Sequence, residues 1–445
     1  MTDVPLIPRF AARHLAEALA DSPAVLIHGP RQCGKTTLAQ ALCAPSHLPG
    51  ARASNINDAD ELRYAYLTLD DRAALAAANA DPVGFVADLP PRVVLDEVQR
   101  APELMSALKV AIDRNRRPGR FVLTGSTNVL SLPRLADSLA GRMDVVRLHP
   151  LSQAELSAQT EAEYRDTTPS SWIAQRRGFL DKLFDDGFGT SAHQRLGHEL
   201  AERICAGGFP AALARPQGRR RARWYGNFVE TVIQRDVLEL ARIRQLDVMP
   251  RLLAAAAAQT AGLFNVSRLA APFQLSTPAI RSYLALLERL FIIELLPPWH
   301  SNRAKRLVKM PKLHLGDSGI ACALLGASPD ALWADRGLLG TVLETFVFGE
   351  LRRQASWHDA DLQFFHFRDR DGTEVDIVIE RGAEQLAGIE VKAAATVTES
   401  DFSGLRKLRR AAGGRFVCGA VLYDGEISAS FGDRLHAIPI RRLWE

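Results

Sequence analysis

The residues with the most evident chemical potential form one short loop. An apolar, β-branched run at 24–28 breaks at a glycine, and a helix-forming segment follows. The connecting loop fits the pattern G-x-x-x-x-G-K-[ST] and consists of Gly29, Pro30, Arg31, Gln32, Cys33, Gly34, Lys35, Thr36 and Thr37. In such a loop, backbone N–H groups and the lysine ammonium bind phosphate oxygens, and the threonine hydroxyl ligates Mg²⁺. The sequence therefore predicts a site for ATP and Mg²⁺, with the positive end of a helix behind it.

Two adjacent acids follow a second apolar run. Val93–Leu95 has the composition of a short strand, and Asp96 and Glu97 come directly after it. Asp96 is predicted to hold the Mg²⁺ water shell, and Glu97 to orient or deprotonate the attacking water. A strand that ends in Asp-Glu is common and on its own more often begins a solvated loop. Its position downstream of a phosphate-binding loop favours the nucleotide role.

Polar residues also accompany the next two strand candidates. Ser126, and as a second choice Asn128, follow the run Phe121–Thr124 and could contact the γ-phosphate or the attacking water. A plain Gly-Ser turn explains these residues equally well. Arg142 precedes the run Asp144–Leu148 and could stabilise transition-state charge in its own subunit or a neighbouring one. An exposed surface arginine is the alternative.

A second chemical constellation lies near the C-terminus. Glu374–Glu380 and Leu386–Lys392 both alternate polar and apolar residues, which predicts a hairpin with one buried and one functional or solvated face. A turn centred near Ala383 would place Asp376 opposite Glu390, with Cβ atoms about 5 Å apart and Lys392 on the same face. Such carboxylates can bind Mg²⁺ and activate water for phosphodiester cleavage. A cross-strand ion network is the alternative.

Composition sets the broad class of the protein. The chain has 445 residues, of which 47% are hydrophobic, and a formal net charge of +4, so nucleic-acid contact would need a local basic surface. Its five cysteines form no C-x-x-C pair and no zinc-ligand spacing, which predicts a reduced, intracellular protein. No apolar run is long enough to span a membrane, and the N-terminus is unlike a signal peptide. We therefore expect a cytoplasmic protein.

The elements that must position these residues can be read from periodicity. Strand candidates at 64–69, 93–95, 121–124 and 144–148, mostly separated by helical segments, predict a parallel sheet wound with helices. Helices at 252–259, 266–273 and 279–290, with a Ser276-Thr277-Pro278 cap before the last, precede a strand at 291–296. This order predicts a winged-helix segment, for which DNA contact and protein packing are equally good interpretations.

The most basic stretch of the chain lies in a helical region before the winged-helix segment. It contains arginines followed by two aromatic residues, namely Arg215, Arg219, Arg220, Arg221, Arg223, Trp224 and Tyr225. Basic residues interleaved with aromatics can grip a phosphate backbone and stack on bases. A solvated helix start explains the same residues and is the favoured interpretation.

Together, four spaced motifs resemble a family of bacterial and archaeal AAA-type ATPases that carry a C-terminal region of unassigned function. The motifs are the loop 29–37, Leu95–Gln99, Leu123–Ser126 and Ala140–Arg142, and the resemblance covers nearly the whole chain. It implies an AAA-like core, with Asp96 and Glu97 as the second nucleotide motif. It also implies Ser126 near the sensor position and Arg142 as a candidate arginine finger.

The C-terminal pattern D-(x)13-E-x-K, formed by Asp376, Glu390 and Lys392, resembles the restriction-endonuclease-like superfamily. The resemblance implies an added acid from a preceding helix, for which Glu344 is the first choice and Glu350 the second. Two residues on the strand before the hairpin, His366 and Arg368, would flank the site or face solvent.

We therefore predict an α/β protein with four parts: a P-loop AAA-like ATPase core at 1–150, a helical lid or linker at 151–245, a winged helix at 246–300 and a restriction-endonuclease-like domain at 301–445. The predicted function is ATP binding and hydrolysis in association with double- or single-stranded DNA, with Mg²⁺ at both sites. The predicted metal ligands are Thr36, Asp96, Glu344, Asp376 and Glu390. The alternative is a nucleotide-controlled switch that acts on a protein partner and carries an inactive nuclease-like domain. A homo-oligomer is compatible with both.

Overall fold

The computed structural model describes residues 7–43, 63–126, 141–158, 177–237, 247–273, 275–302, 306 and 310–445. Two compact units contain these residues. The first comprises the described residues of Met1–Leu151, Glu155–Arg176 and Arg289–Phe291, and the second those of Ser152–Ala154, Arg177–Glu288 and Ile292–Glu445. None of the helices in the described ranges combines the length and the hydropathy that a membrane span requires.

The first unit contains a parallel sheet flanked by helices. Its strands are Ala24–His28 (β1), Ala65–Thr68 (β2), Val93–Asp96 (β3), Phe121–Gly125 (β4) and Met143–Arg147 (β5). Its helices are Ala12–Asp21 (α1), Lys35–Ala41 (α2), Arg72–Ala80 (α3), Pro82–Ala87 (α4) and Leu104–Arg114 (α5), and Gln153–Ala158 (α6) follows β5 in the chain. The strand order is β2-β3-β4-β1-β5, and all neighbours are parallel. The predicted parallel sheet is confirmed.

The central strands are buried on both faces, which explains their continuous apolar character. Alternate residues of β1 enter two different hydrophobic clusters: Ala24 and Leu26 enter one, and Val25 and Ile27 enter the other. Strands β3 and β4 divide their side chains in the same way. Because all strands run in the same direction, the carboxyl ends of β1, β3 and β4 lie at one edge of the sheet. That edge carries the phosphate loop, Asp96 and Ser126.

The second unit begins with helices and a small sheet. The first elements are Phe179–Asp181 (α7), Ser191–Ala192 (β6), His198–Ala206 (α8), Pro210–Leu213 (α9), Arg219–Thr231 (α10) and Val248–Ala257 (α11). Then follow Gly262–Leu263 (β7), Val266–Ala270 (α12), Thr277–Arg289 (α13), Ile293–Leu296 (β8) and Lys312–Leu315 (β9). Strands β7, β9 and β8 pair in that order and antiparallel. The predicted cap exists, because the Ser276 hydroxyl accepts a hydrogen bond from the N–H of Ala279 at 3.3 Å.

The rest of the second unit is built on a larger mixed sheet. Its helices are Ser318–Leu325 (α14), Pro329–Ala334 (α15), Arg336–Ala355 (α16) and Ser403–Ala412 (α17). Its strands are Leu362–Arg368 (β10), Glu374–Arg381 (β11), Gln385–Lys392 (β12), Phe416–Tyr423 (β13), Ile427–Ser430 (β14) and Leu435–Pro439 (β15). The strand order is β10-β11-β12-β13-β15-β14-β6, in which β12, β13 and β15 are parallel neighbours.

The predicted hairpin is present, but its burial differs from the prediction. Strands β11 and β12 pair from Ile377 opposite Ile389 to Arg381 opposite Gln385, which centres the turn on Ala383 as predicted. Of the two alternatives for the second face, functional or solvated, full solvation along the hairpin is not observed. On β11, side chains that point to either face of the sheet are buried. On β12, a Cβ at Gly388 would crowd the side chains of two leucines of α17. Packing of a helix on this surface buries the middle of the hairpin, whereas Asp376, Glu390 and Lys392 stay partly exposed.

Candidate functional site

The backbone of the phosphate loop requires its glycines. A Cβ at Gly29 would overlap the backbone carbonyl oxygen of Leu148, so only glycine allows this close approach. Gly34 has a φ of +102°, in the region that favours glycine, and it directly precedes α2. Gln32 also has a positive φ, of +61°. The loop therefore curls as the motif predicts and leads straight into the first turn of a helix.

The lysine of the motif lies inside the curl. Lys35 is 4% exposed, and its Nζ donates hydrogen bonds to the carbonyl oxygens of Gly29 at 3.0 Å and Pro30 at 2.8 Å. These acceptors are neutral. A phosphate oxygen would offer the ammonium a stronger, charge-assisted bond at the same place. The geometry thus suits an anion held by the loop.

Arg9 supports the loop from outside, and the Cys33 side chain supports it from within. Arg9 donates from Nη1 to the carbonyl oxygen of Cys33 and from Nη2 to that of His149, both at 2.6 Å. Its Nε also bonds to the carboxylate of Glu155 at 3.1 Å. Cys33 is buried, and its thiol lies 3.3 Å from the carbonyl oxygen of Leu148. Cys33 therefore has a packing role in the loop, and Arg9 is a supporting residue that the sequence analysis missed.

The imidazole that ends β1 contributes no charge to the loop at neutral pH. Burial, followed by the positive charges of Arg147 and Lys35, lowers the pKa of His28 to about 4. The side chain is 6% exposed. His28 is therefore neutral at neutral pH, and Lys35 is the cation that lies inside the loop.

Asp96 lies at the centre of a hydroxyl network beside the loop. It is 4% exposed, and the Thr36 hydroxyl lies 3.2 Å from each of its carboxylate oxygens. The Tyr66 hydroxyl donates to the same carboxylate at 2.7 Å, and the Thr124 hydroxyl also donates to it. The structure thus brings together Thr36 and Asp96, the two residues predicted to hold Mg²⁺. The sequence analysis gave no role to Tyr66 or Thr124.

Glu97 and Ser126 are linked by a residue that the sequence analysis left without a role. Gln99 donates from Nε2 to the Glu97 carboxylate and to the Ser126 hydroxyl, the latter at 3.1 Å. Glu97 has a φ of +59°, and its N–H bonds to the Thr124 hydroxyl at 3.0 Å. Strand β3 therefore ends at Asp96, and the chain turns at Glu97. Asn128, the second choice for the strand end, lies outside the described residues.

Arg142 lies away from its own phosphate loop. The next residue, Met143, pairs with Ala24 at the start of β1, whereas the loop follows the other end of that strand. The Arg142 guanidinium bonds the Asp113 carboxylate at 2.7 and 3.1 Å, which lowers the pKa of Asp113. The sheet thus places Arg142 near the start of β1, and the phosphate loop follows the end of that strand. A role towards a neighbouring subunit stays a prediction.

The C-terminal carboxylates converge on a lysine that the sequence analysis did not consider. Lys312, on β9, is 2% exposed. Its Nζ lies 2.8 Å from Glu344 Oε1 and 3.1 Å from Asp376 Oδ1. Asp376 also accepts a hydrogen bond from the N–H of Val391 at 2.9 Å, and the Lys392 ammonium bonds Glu390 at 2.9 Å. The structure therefore brings together all four predicted residues, but with an added internal cation among them.

The electrostatics of this cluster reflect buried like charges. Burial, followed by the negative charge of Asp376, raises the pKa of Glu390 to about 8 and raises the pKa of Glu344 well above its ordinary value. Burial alone would favour a neutral Lys312, but Asp376 and Glu344 outweigh it and raise the lysine pKa. In the part of the chain that the structure describes, no three or more His, Cys, Asp or Glu side chains are arranged to hold a metal ion. The side chains instead form the ion network that the sequence left open.

Three other residues predicted near this cluster have different surroundings. Glu350, the second-choice acid, is buried in a separate network, where it accepts from Arg353 at 2.6 Å. His366 is buried at a bulge of β10 and contacts the carbonyl oxygen of Met310 at 3.1 Å, so the expected solvent exposure was wrong. Arg368 is exposed and pairs with Glu374 at 2.6 Å.

The aromatic residues of the basic stretch pack against neighbouring side chains, Tyr225 in the core and Trp224 partly buried. Tyr225 is buried, and its hydroxyl donates to the carbonyl oxygen of Ala206 at 2.8 Å. The Trp224 ring stacks on Phe228 with a centroid distance of 5.2 Å. Base stacking on these rings would require them to leave their packing partners. The arrangement favours the interpretation of this stretch as a helix start with exposed arginines.

Comparison with known proteins divides the chain into three matched stretches. Residues 21–157 match the family model described as an AAA domain, whereas 197–331 and 339–443 match two domains of unknown function, DUF8612 and DUF4143. The AAA match contains the phosphate loop and Asp96. It supports a P-loop ATPase.

Two relatives that match nearly the whole chain are named as uncharacterized proteins. Uncharacterized proteins of Mycobacterium tuberculosis and Mycobacterium bovis are each 27% identical over 438 residues, covering 98% of this chain and 84% of theirs. Among solved structures, a Walker-type ATPase of Pyrococcus abyssi aligns with 16% identity and a TM-score of 0.35, over 72% of this chain and 96% of that chain.

The Lys312 ammonium should be a strong determinant of stability in the second unit. Replacement by methionine, in Lys312→Met, removes the cation and leaves the carboxylates of Glu344 and Asp376 buried together. We expect a loss of about 3–5 kcal/mol of unfolding free energy, measured by urea denaturation, because an uncompensated buried charge is costly. Adding Glu344→Gln should restore part of this loss.

A matched control is Lys407→Met. Lys407 also bonds two carboxylates, those of Asp369 and Asp371, but it lies at the surface, where water screens the pair. Its replacement should change the urea midpoint little. Equal effects of the two methionine variants would contradict the role assigned to Lys312.

Proposed function

We propose that this chain binds ATP with Mg²⁺ at residues 29–37 and hydrolyses it. The observation that carries this proposal is the 3.2 Å approach of the Thr36 hydroxyl to the Asp96 carboxylate beside the curled loop. Loop N–H groups and Lys35 would bind the β- and γ-phosphates. Thr36 and the water shell held by Asp96 would bind Mg²⁺, which neutralises charge that develops on the phosphate oxygens.

Glu97 is the proposed residue that orients and deprotonates the attacking water. Its contact with Gln99 keeps the carboxylate near Ser126, which lies at the end of the neighbouring strand. We infer that Gln99 is a positioning residue, and that the Ser126 hydroxyl contacts the γ-phosphate or the water. When water binds, the Gln99 amide would then have to leave the Glu97 carboxylate or bond to it together with the water.

Turnover assays test these roles. Lys35→Ala should abolish detectable ATP binding, because it removes the ammonium that lies inside the loop. Glu97→Gln should keep ATP binding but lower turnover by about 10²–10⁴-fold, the usual contribution of a general base. Fluorescence binding of an ATP analogue and phosphate release would be measured for both.

The control for these assays is Lys109→Ala, which removes a lysine from α5, away from the loop in sequence. It should leave both binding and turnover unchanged. Normal hydrolysis in Lys35→Ala, or normal hydrolysis in Glu97→Gln, would contradict the corresponding assignment.

For the C-terminal region we propose a restriction-endonuclease-like domain at 301–445, behind a winged helix at 246–300. Two observations support it. The elements follow in the order α16, β10, β11, β12, α17 and β13. Glu344, the acid from the preceding helix, and Asp376, the acid of the hairpin, both bond Lys312. Within the described residues, Glu390 Oε2 is buried and has no hydrogen-bond partner. A divalent cation would satisfy this oxygen, which favours Mg²⁺-dependent cleavage of DNA as a second candidate function.

The alternative for the same region is a structural ion network in a nucleotide-controlled switch that acts on a protein partner. The Lys312 ammonium favours it, because Lys312 already bonds two of the three proposed metal ligands. The packed Trp224 and Tyr225 rings also give no support to base stacking. In the proposed winged helix, α13 exposes only a few polar side chains, among them Arg281, Ser282 and Glu288.

Cleavage and binding assays distinguish the two candidates. Nuclease activity would appear as Mg²⁺- or Mn²⁺-dependent nicking of plasmid DNA that is lost in both Asp376→Ala and Lys392→Ala. Nicking that persists unchanged in both variants would be contamination and would contradict a catalytic hairpin. Affinity for DNA that falls steeply with salt would support a nucleic-acid partner, whereas the absence of DNA affinity would favour the protein-directed switch.

A further inference from the structure

A cavity of about 310 Å³ in the second unit has two cysteines in its wall. Cys205 is in the last turn of α8, and Cys322 is in the middle of α14. The same wall includes Glu202, Arg219 and Tyr225. The two cysteines are 117 positions apart in the sequence, so their meeting depends on the fold. Neither belongs to the nucleotide site or to the carboxylate cluster.

The helices that carry the two thiols are fixed to each other on both sides of Cys205. The Ser318 hydroxyl, one helical turn before Cys322, donates to the carbonyl oxygen of Ile204 at 2.8 Å. The Tyr225 hydroxyl donates to the carbonyl oxygen of Ala206 at 2.8 Å, and its ring lies so close to Gly319 of α14 that a Cβ there would overlap it. The residues that flank Cys205 are therefore held against the start of α14.

Both cysteine side chains line the same cavity wall within this framework and interact with each other. The Cys205 thiol donates to the carbonyl oxygen of Ala327 at 3.9 Å. The N–H of Ala327 in turn bonds the carbonyl oxygen of Cys322 at 2.9 Å, which closes the cluster. Cys322 is 2% exposed, whereas Cys205 is partly exposed. An oxidant that enters the cavity therefore meets Cys205 first.

The two thiols have different acidities, and the difference follows from their hydrogen bond. The bond from Cys322 lowers the pKa of Cys205 and outweighs the effect of burial. The same bond, with burial added, raises the pKa of Cys322 well above its ordinary value. The thiolate is the reactive form of cysteine, so the partial exposure of Cys205 and the lowered pKa together favour Cys205 over the buried Cys322 as the nucleophile.

We propose that Cys205 and Cys322 are a peroxide-sensitive thiol pair that closes to an internal disulfide. The Cys205 thiolate attacks one oxygen of hydrogen peroxide, the O–O bond breaks, and the departing hydroxide takes a proton to form water. The Cys205 sulfenic acid that remains is attacked by the sulfur of Cys322. The S–S bond forms, and the sulfenic oxygen leaves as hydroxide, which takes the Cys322 proton to become a second water. Two electrons pass from the sulfurs to peroxide.

The other cysteines lack these features. Cys33 is buried in the phosphate loop, and burial raises the pKa of Cys418 to about 12. Cys43 is partly exposed, but burial raises its pKa as well. Cys43 is therefore the matched control. It is partly exposed, as Cys205 is, but its raised pKa makes its thiol less reactive.

The test is mass spectrometry of the full chain after exposure to hydrogen peroxide. Wild type and Cys43→Ser should each lose about 2 Da, the mass of two hydrogen atoms, and peptide mapping without reductant should join Cys205 to Cys322. Cys322→Ser should stop at a Cys205 sulfenic acid that dimedone traps. Cys205→Ser should leave Cys322 unmodified. Dithiothreitol should return the wild type to its starting mass.

Three results would overturn the proposal. The first is a wild-type chain that shows no disulfide at peroxide concentrations that oxidise free glutathione. The second is a wild-type chain in which Cys205 is oxidised while Cys322 stays alkylatable. The third is faster modification of Cys43 than of Cys205. Circular dichroism of each serine variant before oxidation shows whether it is folded, and the wild-type peptide map decides the outcome even if a variant is not.

Discussion

A single buried carboxylate, Asp96, joins the elements that make the nucleotide site. A carboxylate out of water needs hydrogen-bond donors, and Asp96 receives them from Thr36, Tyr66 and Thr124. These three residues belong to α2, β2 and β4, so one side chain ties the helix after the phosphate loop to two strands that flank β3. The parallel sheet makes this possible, because it brings the carboxyl ends of its strands to one edge.

In the second unit, carboxylates are compensated by a cation rather than by hydroxyl groups. Its partly buried acids, Glu344 and Asp376, come from a helix and from a strand, and the buried Lys312 from a third element lies between them. The same solution recurs nearby, where the Arg306 guanidinium holds the buried carboxylate of Glu380 at 2.8 Å from each nitrogen. The charge of each acid is thus compensated from within the chain. A metal-dependent chemistry at the hairpin would have to displace Lys312 from this position.

The sequence was sufficient wherever a residue's role follows from local pattern. The period of the apolar residues predicted β1 to β5, and the motif spacing predicted that Thr36 and Asp96 would meet. The register of the hairpin also followed from its turn. In each of these cases the relevant partners are near in sequence or are fixed by a common strand direction.

The sequence was insufficient where a contact joins distant elements. Gln99 lies two positions from Glu97, but its bridge to Ser126 depends on how β3 and β4 are placed side by side. Lys312 had one signal, a lysine in a short strand with Leu313 and Leu315, but no spacing that relates it to Glu344. The burial of His366 depends on a β-bulge, which alternation alone does not reveal.

Our proposal for the nucleotide site is that Thr36 and Asp96 act together to hold Mg²⁺ on a bound nucleotide. Its most direct test is calorimetric titration of a non-hydrolysable ATP analogue, with Mg²⁺ and with EDTA, into wild type, Asp96→Asn and the control Asp113→Asn. Mg²⁺ should tighten binding by about tenfold or more, ~1.4 kcal/mol, in the wild type and the control, and should lose this effect in Asp96→Asn. An undiminished Mg²⁺ effect in Asp96→Asn would contradict the claim.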